Sequence, residues 1–311
     1  MQERRIGTSG LRVSAVGLGC NNIGRLLDLE NSRALVHRAL DMGITLFDCA
    51  DVYGNRGGSE KMLGDILGAR RQDIVLITKF GKRMDDAGRK TGGSRRYIIE
   101  ACEASLKRLK TDWIDLYMMH EPDPNTPIEE SLSALDDLVR QGKIRYTGSS
   151  HFAAWQNVEA HWVAELKGFN HFITNEDEYS VLHRGAELEL LPAARACGGS
   201  ILPYYPLASG MLTGKYRAGE APPTGSRMQR AERDYMSQFF TPDNWARLER
   251  LTAFAESRGH TILELAVSWL LAKPIVGSVI AGATKPQQVE ANVRAADWIM
   301  THEEVEMIDA L

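Results

Sequence analysis

The strongest constraint in this sequence is a rhythm. Short β-rich runs end in small or polar residues, and each is followed by an amphipathic helical stretch. Eight such runs can be read: Val16–Gly19, Thr45–Asp48, Ile74–Lys79, Ile114–His120, Ile144–Ser149, Phe172–Glu176, Ser200–Tyr204 and Val279–Ala281. Alternation of this kind predicts a parallel sheet, because parallel strands need a crossover helix to return. Open doubly wound sheets usually stop nearer six strands, so eight units predict closure into an α/β architecture, a (β/α)8 or TIM barrel. The 311 residues suit one such domain over 1–311 better than two average domains. Ahead of the first unit, Arg5 to Val13 holds two β-like pieces around Thr8-Ser9-Gly10. They predict a hairpin, placed to plug the N-terminal mouth of the barrel.

Local punctuation supports the helices. Ser32 is read as opening a helix through Leu35, Val36, Ala39 and Leu40, which Gly43 closes. Thr126-Pro127-Ile128-Glu129 has the form of a capping box with Pro at the first helical position. Ile98, Cys102, Leu106 and Leu109 form a helical stripe, and a last helix is expected over Glu303–Ala310. One stretch breaks the rhythm: Ala208 to about Pro242 is rich in Gly and Pro and weakly periodic. Such a long loop in a compact chain is usually functional.

Composition excludes several classes. Hydrophobic residues make up 43% and charged residues 25%, enough apolar surface to offset the entropy of ordering. Lys plus Arg total 37 against 41 Asp plus Glu, a net charge of −4, whereas a general electrostatic nucleic-acid binder is basic. No apolar run approaches the roughly 18 residues of a membrane span. The opening residues, Met1 to Gly10, lack the apolar core of a signal peptide. Cys20, Cys49, Cys102 and Cys197 stand far apart, which argues against a disulfide framework or a thiolate zinc site. A cytoplasmic location is therefore expected. The sequence carries no signal for an oligomeric state.

A closed barrel places its active site at the C-terminal ends of its strands. Those ends offer Asp48, with Asp51 and Tyr53 just beyond, then Lys79, His120, the Ser149-Ser150-His151 run, Glu176, and Tyr204-Tyr205. Lys79 and His120 are polar ends of apolar strands, so each must find partners at the mouth. Gly17-x-Gly19 with Gly24 has the wrong spacing for a Rossmann fingerprint and reads as strand-to-loop glycines. His37, His151, His161, His171 and His183 could suggest a metal-dependent barrel enzyme. However, His37 and His161 fall on helical segments and no His-x-His pair ends a strand, so no metal is expected.

At this level the sequence resembles the aldo-keto reductase family. Phe47-Asp48-Cys49-Ala50-Asp51-Val52-Tyr53-Gly54 with Ser59-Glu60 is similar to the family's first signature. Ile77-Thr78-Lys79, Leu116-Tyr117-Met118-Met119-His120 and Gly148-Ser149-Ser150-His151-Phe152 match later blocks. Tyr204-Tyr205-Pro206-Leu207-Ala208-Ser209-Gly210-Met211-Leu212-Thr213-Gly214-Lys215-Tyr216 resembles a segment of the bacterial and potassium-channel-β-like branches. The resemblance implies a catalytic tetrad of Asp48, Tyr53, Lys79 and His120. A tyrosine with a free pKa of about 10 is a weak acid, and a neighbouring ammonium favours its phenolate. Lys79 is thus expected to lower the pKa of Tyr53, Asp48 to hold Lys79, and His120 to orient a carbonyl oxygen.

The resemblance also implies an extended nicotinamide cofactor, NADP(H) by family default and possibly NAD(H). Gly19, Cys20 and Asp48 would be among the residues that bind it. Ser150 and His151 would meet the carboxamide, where the family usually has Asn in place of the histidine. Glu176 stands where Gln is typical and would accept from the carboxamide but could not donate as a carboxylate. Tyr204 would stack on the ring. Pro206, Leu207, Ala208, Gly210, Lys215 and Arg227 would cover the diphosphate, since a Gly-containing turn with cations suits its oxygens. Gly282, Thr284, Gln288 and Asn292 would meet the adenosine side. The cations that clamp a 2′-phosphate in some branches correspond to Gly282 and Gln288, which leaves Lys285 as the local cation.

The substrate expected is a small aldehyde, ketone or sugar-like hydroxycarbonyl, or the matching alcohol. Asn21, Asn22, Asp51, Glu121 and Asp123 are read either as a polar mouth or as solvated loop residues. The alternative function is a nucleotide-sensing regulatory subunit, as the channel β subunits of this family can be.

Overall fold

The computed structural model describes residues 1–230 and 238–311. Strands β1 (Glu3–Arg5) and β2 (Arg12–Ser14) pair antiparallel as the expected hairpin. The barrel strands follow: β3 (Val16–Gly19), β4 (Leu46–Asp48), β5 (Val75–Phe80), β6 (Ile114–Met119), β7 (Ile144–Ser150), β8 (Phe172–Glu178), β9 (Ser200–Tyr204) and β10 (Val279–Gly282). They form one eight-stranded parallel sheet in the order β10-β3-β4-β5-β6-β7-β8-β9. The ring is completed where Ile201 N–H donates to the Ile275 carbonyl and Gly277 N–H donates to the Ile201 carbonyl, both at 2.9 Å. The fold is a (β/α)8 barrel.

Period-two alternation decides what fills the barrel. Leu46, Ile77, Leu116, Met118, Leu202 and Ile280 point inward and pack with Ile6 and Val13 of the hairpin. Ile6 and Val13 are fully buried, so the hairpin does plug the N-terminal end. The same parity, two residues further along each strand, turns Asp48, Lys79, His120 and Tyr204 inward at the other end. Strand register adds Ser150, opposite Glu176, which in turn lies opposite Leu202. Outward residues such as Phe47, Leu76, Tyr117 and Met119 join the layer between sheet and helices.

Several boundaries differ from the sequence reading. The first helix runs Leu29–Asp41, and its N-cap is Asp28, whose side chain accepts from Asn31 N–H. Ser32 is buried one turn inside it. The helix Ile128–Arg140 has Pro127 at its N-cap, with no side-chain cap. The capping box does not form: the helix starts one residue later than the sequence suggests, with Pro127 rather than Thr126 at the N-cap, and the Thr126 hydroxyl donates to Asp123. The last helix, His302–Ala310, is capped by Thr301 and Glu304. The Ala208–Pro242 stretch is not aperiodic throughout. It opens with a 3-10 segment, Ala208–Thr213, whose Ala208, Ser209, Met211 and Leu212 are buried. A short helix follows at Arg227–Arg230, and another starts at Pro242. Residues 231–237 of the expected loop lie outside the described residues. No helix among the described residues is long and apolar enough to cross a membrane.

Candidate active site

Backbone strain marks the C-terminal mouth. Seven non-glycine residues among those described have positive φ, and six of them follow barrel strands: Asn55 and Arg56, His151, and Tyr205, Ala208 and Ser209. Such conformations cost energy and tend to persist where function demands them. The most unusual is the left-handed turn after Tyr53, in which Gly54, Asn55, Arg56 and Gly57 all have positive φ. Gly54 is obligatory there, since a Cβ would sit 2.5 Å from Ser59 N and 2.9 Å from Ile23 O. The turn aims Tyr53 across the mouth rather than out along the helix that follows.

At the centre lies Lys79, fully buried at the end of β5. Its ammonium donates to Asp48 Oδ1, lies 3.2 Å from Glu176 Oε1 and reaches the Cys49 carbonyl at 3.3 Å. The Tyr53 hydroxyl is 3.5 Å away. Burial alone would strip the lysine of its proton, but Asp48 and Glu176 hold it well above the usual lysine range. Two carboxyls thus share one cation. Burial, and then the neighbouring Asp48, push Glu176 up to about 8, against the opposing pull of Lys79. Asp48 is also raised by burial, with Lys79 opposing. Glu176 Oε2 is buried without a hydrogen-bond partner.

Tyr53 corrects one expectation. Lys79 does pull its phenol pKa down, but burial outweighs that pull and the net shift is upward. His120 sits edge-on to Tyr53 with ring centroids 5.8 Å apart. Burial, with Lys79 and Lys82 nearby, holds its imidazole well below the usual histidine range, so it is neutral at pH 7. Its Nδ1 is buried and unpartnered.

The next ring of residues has a defined hydrogen-bond polarity. Ser150 Oγ donates to the Glu176 carbonyl at 3.0 Å. His151 Nδ1 lies 3.1 Å from the His120 carbonyl and 2.9 Å from Ser150 Oγ. A carbonyl only accepts, so this network assigns the proton to Nδ1. Desolvation and Lys82 push the His151 pKa down, so the ring is neutral and its Nε2 keeps a lone pair. The His151 ring stacks on Tyr204 with centroids 5.0 Å apart.

The remaining sequence candidates fall in local groups at and beyond the strand ends. Gly19 lies in register with both Asp48 and Gly282, and Cys20 N–H donates to the Asp48 carbonyl at 2.8 Å. Pro206 and Ala208 are buried and Leu207 half-buried after β9. Lys215 Nζ lies 3.2 Å from where a Cβ on Gly210 would be. A Cβ on Gly282 would lie 3.7 Å from Arg227 Nη2 and Asn21 Oδ1 and 3.8 Å from Asn22 Nδ2. Arg227, distant in sequence, therefore stands beside Gly282. Gln288 Oε1 accepts from Thr284 N–H and Oγ1 and from Lys285 N–H, which shapes that loop. Asn292 is buried behind it.

The polar-mouth reading holds only in part. Asp51 and Asn22 are buried, and Asn22 donates to the Ala283 carbonyl. Asp123 accepts from Gly93 N–H, Asn125 N–H and Thr126 Oγ1, so it organises its own loop. Asn21 and Glu121 are at least partly accessible. Sequence reasoning passed over Lys82, whose charge bears on both His120 and His151. Its position, three residues past Lys79 on the same strand exit, was the available signal.

With Asp48, Tyr53, Lys79, His120 and Glu176 gathered at its mouth, the (β/α)8 barrel is of the oxidoreductase class. The chain belongs to the aldo/keto reductase family, whose model matches residues 15–311. It is 34% identical over 325 residues to the L-glyceraldehyde 3-phosphate reductase of Escherichia coli O157:H7, covering 99% of this chain and 92% of that one. It is 35% identical over 321 residues to an Oryza sativa subsp. japonica protein named "probable voltage-gated potassium channel subunit beta", covering 100% and 96%. An oxidoreductase of Bacillus subtilis, YrpG, is 34% identical over 320 residues, covering 99% and 95%.

Proposed function

We propose that this chain, as one domain over residues 1–311, interconverts a small carbonyl compound and its alcohol with a nicotinamide cofactor. The observation that carries this reading is the buried Lys79 ammonium between Asp48 and Glu176, with the Tyr53 hydroxyl within reach. When bound, the nicotinamide would supply or accept the hydride at the carbonyl carbon. Tyr53 gives its proton to the carbonyl oxygen in reduction and takes it back in oxidation. Lys79 stabilises the phenolate that this leaves. His120, neutral, donates to the carbonyl oxygen and sets its angle.

The loops at the mouth fit such a cofactor: Lys215 borders Gly210 and Arg227 borders Gly282, so two cations stand beside backbone without side chains, where phosphate oxygens can approach. Tyr204 offers a ring for stacking. The polarity around the carboxamide is reversed from the family pattern. His151 Nε2 accepts from the carboxamide NH2, and protonated Glu176 donates to its oxygen. Arg227 beside Gly282 supplies the cation missing from the adenosine block, which supports NADP(H) over NAD(H). Mixing the purified chain with NADPH and a panel of aldehydes, ketones and sugars tests the function. Carbonyl-dependent loss of absorbance is expected, and none across the panel would overturn the reading. The likeness to channel β subunits favours, as a second reading, a nucleotide sensor; turnover of any generic aldehyde would count against a purely sensory role.

Lys215→Ala and Arg227→Ala should each weaken cofactor binding more than they slow hydride transfer in the bound complex. Both cations sit away from the tetrad and contribute uniform binding. Tryptophan quenching titrations give the dissociation constant and single-turnover rates give the chemical step. A slowed step with unchanged binding would contradict the assignment.

Glu176→Gln should change how stability depends on pH. The folded pKa of Glu176, about 8, lies above its ordinary 4.5. Its proton is therefore held more tightly in the folded state, and stability is lost as pH rises through about 8. Urea unfolding should show the variant gaining on wild type between pH about 5 and 8. Parallel curves for the two proteins would show that Glu176 carries no such proton.

A further inference from the structure

We propose that His161, Glu165 and His171 form a divalent transition-metal site on the outer wall of the barrel, with zinc as the fitting ion. His161 and Glu165 are four residues apart in the helix Ala154–Lys167, which puts them on one face. His171 immediately precedes β8, and its carbonyl accepts from Thr147 Oγ1 at 2.8 Å, which fixes its backbone. One donor atom from each of the three lies within 4.8 Å of the others. His171 Nε2 is 3.4 Å from Glu165 Oε1, and the two imidazole rings meet edge to face with centroids 4.8 Å apart.

A second observation concerns His161 itself. Its Nδ1 is buried and has no hydrogen-bond partner, although buried ring nitrogens are normally satisfied. Two imidazoles and one carboxylate suit zinc, whereas calcium and magnesium take oxygen sets. Three protein ligands leave a fourth, tetrahedral position for water. All three groups keep some exposure, so an ion can enter from solvent.

Chain direction separates this site from the mouth. The helix leaves the C-terminal end of β7 and returns to the start of β8, so Glu165 and His171 lie toward the plugged end. The metal would therefore clip helix to strand and have no part in hydride transfer. It would stabilise the folded chain by mass action, since the unfolded chain does not hold the three groups together.

Tag-free protein titrated calorimetrically with zinc sulfate is the test, with the Cys197→Ser variant as background because Cys197 is the one half-exposed thiol. One equivalent should bind and should raise the Tm by about 2 °C or more at saturation. His161→Ala and His171→Ala should each weaken binding about tenfold or more. Trp162 provides an independent readout, because its ring lies 5.5 Å from that of His161. Cu2+ should quench its fluorescence, and Trp162→Phe should remove that quenching while zinc still binds. Carbonyl turnover should be the same with and without zinc. Absence of saturable binding, or binding that survives loss of both histidines, would overturn the proposal; either result leaves the reductase reading intact.

Discussion

Tyr53→Phe should lose about 10²- to 10⁴-fold of carbonyl turnover, the usual worth of a positioned general acid. The protein should remain folded and bind cofactor normally. The exchange removes one hydroxyl and little volume, and among the described residues that hydroxyl's hydrogen-bond partner is Lys79, at 3.5 Å. The wild-type phenol is pushed up by burial and drawn down by Lys79, so it keeps its proton at neutral pH and can give it. Because the phenol stays protonated through neutral pH, reduction should hold level there, and alcohol oxidation, which needs the phenolate, should rise only at alkaline pH; the variant should lose that rise. Steady-state rates with cofactor saturating are the measurement. Near wild-type kcat in Tyr53→Phe would remove both the tetrad and the reductase assignment.

Lys79→Met should be damaging twice over. Turnover falls because nothing stabilises the Tyr53 phenolate. Stability falls because Asp48 and Glu176, both buried, lose the cation they share. Removing one partner of a buried ion pair typically costs about 3–5 kcal/mol. The sign of its pH dependence follows from linkage. Without Lys79 both carboxyls have folded pKa values raised above their unfolded ones, so stability is present at low pH and lost as pH rises. The deficit against wild type, read by urea unfolding, should therefore be smallest below pH about 4 and grow toward pH 8. A deficit that is constant with pH would mean that the lysine stem, not its charge, supports the site.

The barrel was legible in the sequence because it depends on local pattern: strand–helix alternation specifies parallel strands, and their apolar runs end in the polar residues Asp48, Lys79 and His120. The roles of those residues came from the family resemblance, and their inward facing from the period of two in the folded strands. Helix starts were less legible, since Asp28 and Ser32 are both good caps and only packing buried Ser32. Thr126 carries a capping residue type, but the helix starts after it, with Pro127 at the N-cap.

What only the tertiary structure decided was electrostatic and long-range. The sequence shows a glutamate at 176; the structure buries it beside Asp48 and Lys79, and burial first, then Asp48, raises its pKa against the pull of Lys79. The sequence shows His151; the folded network fixes which ring nitrogen carries the proton. Arg227 reaches Gly282 across 55 residues of chain, and His161, Glu165 and His171 converge from a helix and the edge of a strand. Alternation is a property of neighbours along the chain, so composition and spacing determine it. Desolvation and charge pairing depend on which groups meet once water is excluded, and only the packed barrel determines that.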